Sequence, residues 1–370
     1  MSRVMRAAIL EGAGQPLRIV HDAEIDDPRA GEVLVRITHC GVCNTDLALA
    51  DGKVGYPVPA VLGHEAAGTV AALGAGVTDL VEGQRVVVSM RPACGTCYFC
   101  VRNQPVLCIA AESPSRTAGP TGDDVRVRYR GVPVARGLRL GAFAEYVLVE
   151  RSGVVLIPDS ISSAHAATMG CAVQTGMGSV ANVAAVPEGA TAAVVGLGAV
   201  GLSTIQALRI AKAALVVGLD FNADRRGHAQ KLGAHATFDS SAEGFQEPCR
   251  ALTGGMGFDF VFDGVCSPDT LKLSAALVRK GGAIVMIGVA KPTEPVAIGA
   301  LDVVLRQLQI KGSYLGNCHA QRDLPRYFDL CCQQALNLSS LVTKIRPLEE
   351  VNEALQDLRD GVGIRTVLTI

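Results

Sequence analysis

Apolar residues follow two grammars along this chain. Up to about residue 150 they come in short runs broken by turn formers. Val33, Val35 and Ile37 interleave with Leu34, Arg36 and Thr38, Val86-Val87-Val88 makes another run, and Gly41, Gly63, Gly68, Gly74, Gly76 and Gly83 punctuate the stretch. That spacing predicts short strands joined by tight turns. After about residue 185 apolar runs alternate with helical spacing. Ala192-Ala193-Val194-Val195 predicts a buried strand, Leu202, Ile205 and Leu208 share a helix face, and Leu215-Val216-Val217 makes the next strand. Phe258 to Asp263 and Ala283 to Val289 repeat the short apolar run. Continuous apolar strands separated by helices predict a parallel sheet covered on both faces. From about residue 316 the spacing is helical and ends in the strand-like TVLTI, while residues 112–140 are polar and predict a loop with little regular structure.

Composition narrows the classes. The 370 residues suit two domains, and a hydrophobic content of 49% provides ample core. A net charge of −1 leaves no excess of cations for nucleic acid or an anionic membrane. No apolar stretch reaches bilayer length, and the start MSRVMRAAILEGAG lacks the apolar run and cleavage site of a signal peptide. The 12 cysteines are therefore expected as thiols in a reducing cytoplasm rather than as bridges.

Four of them crowd into RPACGTCYFCVRNQPVLC, at Cys94, Cys97, Cys100 and Cys108. Three cysteines spaced three apart suit thiolates wrapped around one tetrahedral ion, and Zn²⁺ takes four such ligands in closed structural sites. Buried thiols acting as small hydrophobes are the bland alternative. A second motif, Gly196-Leu197-Gly198-Ala199-Val200-Gly201, follows an apolar strand and opens a helix. In that context Gly196 permits the tight turn, Gly198 lets a pyrophosphate approach the backbone, and Gly201 lets helix pack on strand. Asp220, ending the next strand, can accept from a ribose 2′-hydroxyl and would repel a 2′-phosphate, which favours NAD over NADP. Arg225 nearby could instead receive that phosphate, and Asp220 could simply cap a turn.

Cys43 in GVCNTDL, His64 in GHEAAG and Cys171 in GCAVQTG each read alone as ordinary core. Together with the four-cysteine segment and the glycine fingerprint, over nearly the whole chain from GEVLVRI to IRTVLTI, they resemble the zinc-dependent medium-chain alcohol dehydrogenases. The resemblance implies a mixed α/β architecture: a GroES-like, mostly β catalytic domain over 1–172 and 316–370, with a Rossmann doubly wound parallel sheet over 173–315. It implies two Zn²⁺ per chain, one catalytic on Cys43, His64 and Cys171 and one structural on the four clustered cysteines. Asp46 would orient His64, Glu65 would lie behind the metal, and Thr45 would hydrogen-bond the substrate hydroxyl. Thr175 and Val200 would buttress the nicotinamide, and Arg365 would reach the pyrophosphate. Asn44 stands where a basic pyrophosphate contact is common. The implied reaction is reversible oxidation of a primary or secondary alcohol to aldehyde or ketone, with hydride passing to NAD. Cys40 is expected as packing, and Cys249, Cys266, Cys318, Cys331 and Cys332 as buried hydrophobes.

The chain also departs from the family pattern. Ala48 replaces a proton-relaying His, and Met90 stands where an aromatic commonly lines the pocket. The long stretch between Cys108 and FAEY is similar to the dimeric, animal-like branch, which implies a homodimer. Glu112 occupies a place where the glutathione-dependent formaldehyde-oxidising branch carries Arg. That thiol-adduct activity, and a catalytically inactive zinc- and nucleotide-binding protein, are the alternative readings.

Overall fold

A computed structural model describes residues 2–111, 119–290 and 295–370. The chain divides into two compact units. The first comprises Met1–Cys171, His319–Gln334 and Leu341–Ile370, and the second Ala172–Cys318 with Ala335–Ser340. The short segment Ala335–Ser340 joins the second unit because Gln206 reaches it. The Gln206 amide donates to the Asn337 carbonyl at 3.2 Å and accepts from the Asn337 N–H at 2.7 Å.

In the first unit the strand Glu32–Gly41 organises the larger sheet. It pairs antiparallel with Glu65–Leu73, Tyr146–Glu150 and the C-terminal strand Arg365–Thr369. Val33, Leu34, Val35 and Ile37 are all buried, so the strand is covered on both faces over that stretch. Register does the positioning: Gly41 sits opposite both Glu65 and Val367, which gathers three distant segments at one strand end. Among the described residues a six-stranded sheet completes the unit. Here the expectation of an irregular 112–140 segment needs correction over its described part, 119–140. Val127–Tyr129 pairs antiparallel with Arg18–Asp26, and Ala135–Arg136 pairs parallel with Ala60–Val61. The buried guanidinium of Arg126 explains the first pairing, since it donates to Glu32 at 2.6 Å, to Asp26 at 3.3 Å and to the Asp27 carbonyl at 2.9 Å. Three-residue strands with polar partners leave little apolar periodicity to read.

The second unit is a six-stranded sheet among the described residues. Its order is Ala236–Phe238, Leu215–Leu219, Thr191–Val195, Phe258–Asp263, Val278–Met286 and Gln309–Gly312, parallel throughout. The chain starts in the middle, builds two strands to one side and returns to build three on the other. Ligands of such sheets bind at the carboxyl strand ends beside that reversal. The helix Ala199–Ile210 packs there through Leu202, Ile205 and Leu208, all fully buried.

Candidate metal and cofactor sites

The buried cluster is built around one carboxylate. Cys43 stands at the N-cap of the helix Asn44–Ala50, where its extended backbone (φ −107°, ψ 154°) starts the turn. Asp46 in that first turn accepts from the Cys43 N–H at 3.0 Å through one oxygen. Its other oxygen accepts from the Gly63 N–H at 2.9 Å and lies 3.1 Å from His64 Nδ1. A carboxylate can only accept, so Nδ1 carries a proton, and in the neutral ring His64 Nε2 presents a lone pair. That Nε2 is buried and makes no hydrogen bond in the described structure. The Gly63 turn (φ +91°) requires glycine, because a Cβ there would stand 2.6 Å from the Phe143 ring.

Cys43, His64, Glu65 and Cys171 bring one ligand atom each within 4.8 Å of the others, all buried. The two sulfurs are polarised against each other. Contact with Cys171 holds the Cys43 thiol well below its usual range despite burial, with Arg365 and His64 assisting. The same contact and burial push Cys171 well up. Burial alone would lower the His64 imidazole, but Asp46 and Cys43 outweigh it and raise it well above its ordinary value. Burial pushes Glu65 up to about 7 against the pull of Arg365. Arg365, itself buried, lies 3.1 Å from Glu65 Oε2 and donates to the Val42 carbonyl at 2.5 Å. Gly41 makes room for this pair, since a Cβ there would sit 2.3 Å from Glu65 Oε2. Two cysteine sulfurs, one imidazole and one carboxylate thus converge in a buried site, a donor set that a divalent cation would bind by displacing their protons. With Nδ1 held by Asp46 and Nε2 left for a metal, that donor set fits Zn²⁺.

The second cluster joins Cys94, Cys97, Cys100 and Cys108, whose sulfurs lie within 4.8 Å of one another and which range from exposed Cys94 to buried Cys108. The Cys94 N–H donates to Cys108 Sγ at 3.3 Å, and the Cys97 N–H to Cys94 Sγ at 3.4 Å. Backbone N–H groups of Thr96 and Cys97 hold the Cys94 thiol down to about 6, whereas burial pushes Cys100 up to about 12. The all-sulfur donor set again fits zinc, here without a donor of another kind.

In the second unit the three fingerprint glycines differ as dinucleotide chemistry requires. Gly196 has φ +84°, Gly198 has open space where a Cβ would point, and a Cβ on Gly201 would lie 1.9 Å from the Gly196 carbonyl oxygen. Gly198 is the N-cap of the helix Ala199–Ile210, where free N–H groups favour phosphate. Asp220 is buried; it accepts from the Leu197 N–H at 2.7 Å and from the Asn222 N–H at 2.9 Å. It therefore both caps a turn and ties the glycine loop to the next strand.

Two family models match the chain: the alcohol dehydrogenase GroES-like domain over residues 29–159 and the zinc-binding dehydrogenase over residues 199–333. A Mycobacterium tuberculosis protein provisionally named alcohol dehydrogenase D is 35% identical over 98% of each chain. The chain belongs to the zinc-binding alcohol dehydrogenases. It is also 32% identical to the S-(hydroxymethyl)glutathione dehydrogenase of Escherichia coli, over 98% of this chain and 99% of that one. The crystal structure of benzyl alcohol dehydrogenase from Acinetobacter calcoaceticus matches with a TM-score of 0.92 at 26% identity, covering 100% of this chain and 99% of that chain. The GroES-like and Rossmann architecture follows from the family together with the parallel sheet.

Within this dehydrogenase the remaining candidates are placed unevenly. Thr45 Oγ1 lies 3.8 Å from Cys43 Sγ, Asn44 is exposed, and Ala48 and Val200 are half-buried. Thr175 is buried, with its hydroxyl making no hydrogen bond in the described structure. Met90 and Cys40 are buried. Of the five further cysteines expected as buried hydrophobes, Cys249, Cys266 and Cys318 are buried, but the expectation fails for Cys331 and Cys332. Cys331 is half-buried and Cys332 exposed, because they end the helix Ala320–Cys332 on its outer side. Glu112 lies outside the described residues. Beside Arg225, the Arg226 guanidinium donates to the Asp220 and Phe221 carbonyls at 2.9 Å and pairs with Asp239 at 3.2 Å. No signal in the sequence separates two adjacent arginines on one helix.

Proposed function

We propose that this dehydrogenase is a cytoplasmic, homodimeric enzyme that oxidises primary or secondary alcohols reversibly to aldehydes or ketones with NAD. Residues 1–172 and 316–370 form its catalytic domain and 173–315 its dinucleotide-binding domain. Cys43, His64 and Cys171 hold a catalytic zinc, with Glu65 behind it; Cys94, Cys97, Cys100 and Cys108 hold a structural one. When bound, the catalytic Zn²⁺ supplies Lewis-acid polarisation of the substrate oxygen and NAD accepts the hydride. Asp46 fixes the tautomer of His64 and so leaves Nε2 as the nitrogen that would bind the metal. Thr45 holds the alcohol proton at its hydroxyl and passes it toward water, because Ala48 offers no imidazole. Gly196, Gly198 and Gly201 admit the pyrophosphate, with Arg365 and Asn44 as further contacts. Asp220 accepts from the ribose while excluding a 2′-phosphate; Thr175 and Val200 back the nicotinamide, and Arg225 borders the ribose.

The observation carrying this reading is His64: a buried imidazole held by Asp46 on one nitrogen, with a ligand atom within 4.8 Å of two cysteine sulfurs. A panel of alcohols and carbonyls assayed with NAD and NADP, following reduced-cofactor absorbance, tests it. Turnover of free alcohols with NAD is expected; turnover only with NADP, or none, contradicts it. The similarity to S-(hydroxymethyl)glutathione dehydrogenase supports a second reading, oxidation of a thiol adduct of formaldehyde. Formaldehyde oxidation that requires glutathione, in the absence of activity on free alcohols, selects that reading.

A further inference from the structure

The four-cysteine lobe contains a buried cation that the zinc reading does not use. Arg91 stands three residues before Cys94 and is 7% exposed. Its Nε and Nη2 donate to the Val106 carbonyl at 3.0 and 2.7 Å, its Nη1 donates to the Ala111 carbonyl at 2.8 Å, and Nη2 approaches the Cys108 carbonyl at 3.4 Å. One guanidinium therefore gathers the carbonyls on both sides of Cys108. The need is local. Cys94, Cys97 and Cys100 share a single loop, shaped by Gly95 at φ +78° and by N–H groups aimed at sulfur. Cys108 comes back from a run of three short 3₁₀ turns, Cys100–Arg102, Pro105–Leu107 and Ile109–Ala111. Such turns have poor internal hydrogen bonding and leave carbonyls to be met from outside.

We infer that Arg91 is a positioning residue for the four-cysteine zinc site: its planar fork clamps the Val106–Ala111 segment and so holds the Cys108 sulfur at the other three. This rests on the reading of that cluster as a zinc site. Arg91 also brings a positive charge into a lobe where four thiolates exceed the charge of one divalent ion. A lysine cannot replace it, because one ammonium on a flexible stem does not present parallel donors to separate carbonyls. Outer partners of metal ligands typically control affinity by about 10–100-fold.

The test uses the full-length chain carrying Cys171→Ala, so that bound zinc reports the lobe. Zinc release to a colorimetric chelator is timed with Arg91 intact, with Arg91→Met and with Arg91→Lys. Release about tenfold or more faster in both variants is expected. In cobalt-loaded protein the thiolate-to-cobalt absorption should also lose the share due to one sulfur, a change that general loosening of the domain would not produce. If Arg91→Met does not fold, Arg91→Lys decides: a wild-type release rate and an intact cobalt spectrum in that variant overturn the inference. No zinc in the chain with Arg91 intact instead overturns the underlying reading of the cluster.

Discussion

The two cysteine clusters share thiol donors and are assembled in opposite ways. The lobe draws its ligands from one short segment, Cys94 to Cys108, and leaves Cys94 exposed. The other cluster draws Cys43, His64 and Cys171 from three separate segments and buries them fully. Its framework is the sheet: Gly41 opposite Glu65 and Val367, with Asp46 binding the helix start, the Gly63 turn and His64 at once. A locally built site depends on its metal for its own shape, because the unfolded segment has none. A site built by the sheet keeps its shape without metal, and its buried charges wait for the ion. On the proposed reading one cluster would bear on stability and the other on reactivity.

That contrast can be broken by substitution, and the largest effect is expected at Cys171. Cys171→Ala should abolish alcohol turnover while the far-ultraviolet circular dichroism and the lobe zinc remain. Near wild-type turnover in that variant would remove Cys171 from the ligand set. Cys97→Ser should instead act on folding, lowering the melting temperature by on the order of 10 °C or yielding insoluble protein. Fully stable and active Cys97→Ser protein lacking one zinc would contradict a structural role.

Asp46→Asn should weaken metal retention in the buried cluster by about 10–100-fold, because the amide no longer enforces the His64 tautomer. Equilibrium dialysis against a metal buffer measures it, and unchanged affinity would leave Asp46 with a purely structural part. The paired substitution Asp220→Gly with Phe221→Arg should shift preference toward NADP by about tenfold or more, roughly 1.4 kcal/mol. Total activity should fall as well, since the Asp220 carboxylate also holds the Leu197 N–H in the glycine loop. An unchanged NAD to NADP ratio would assign the ribose to another residue. The smallest effect is expected at the missing relay. Ala48→His should raise kcat by less than about tenfold and mainly below pH 8, since positioned acid–base groups typically supply about 10²–10⁴ and water already covers part of that. An unaltered pH–rate profile would show that proton release is not limiting.

Legibility in the sequence followed the same division. The lobe could be read from spacing alone, because its ligands are neighbours in the chain. The parallel sheet was legible because buried strands such as Ala192–Val195 are continuously apolar, and the glycine motif because each glycine answers a different steric demand. Nothing local marks Cys43, His64 and Cys171 as partners: strand register brings them together, and only the resemblance to a family named them. Arg91 was invisible for a related reason. Its partners are backbone carbonyls, which carry no side-chain signature, although a charge next to a cysteine-rich segment was a signal that could have been followed. Cys331 and Cys332 were misread as core because the helix Ala320–Cys332 turns its end to solvent, which composition does not reveal.

The central claim is that the chain carries two zinc sites of different kinds. Metal analysis of the purified protein beside its Cys171→Ala variant tests it most directly. About two zincs per chain falling to about one, with folding intact and turnover lost, is the predicted result. A single zinc in the parent protein, or a zinc content that does not change on losing Cys171, would contradict it.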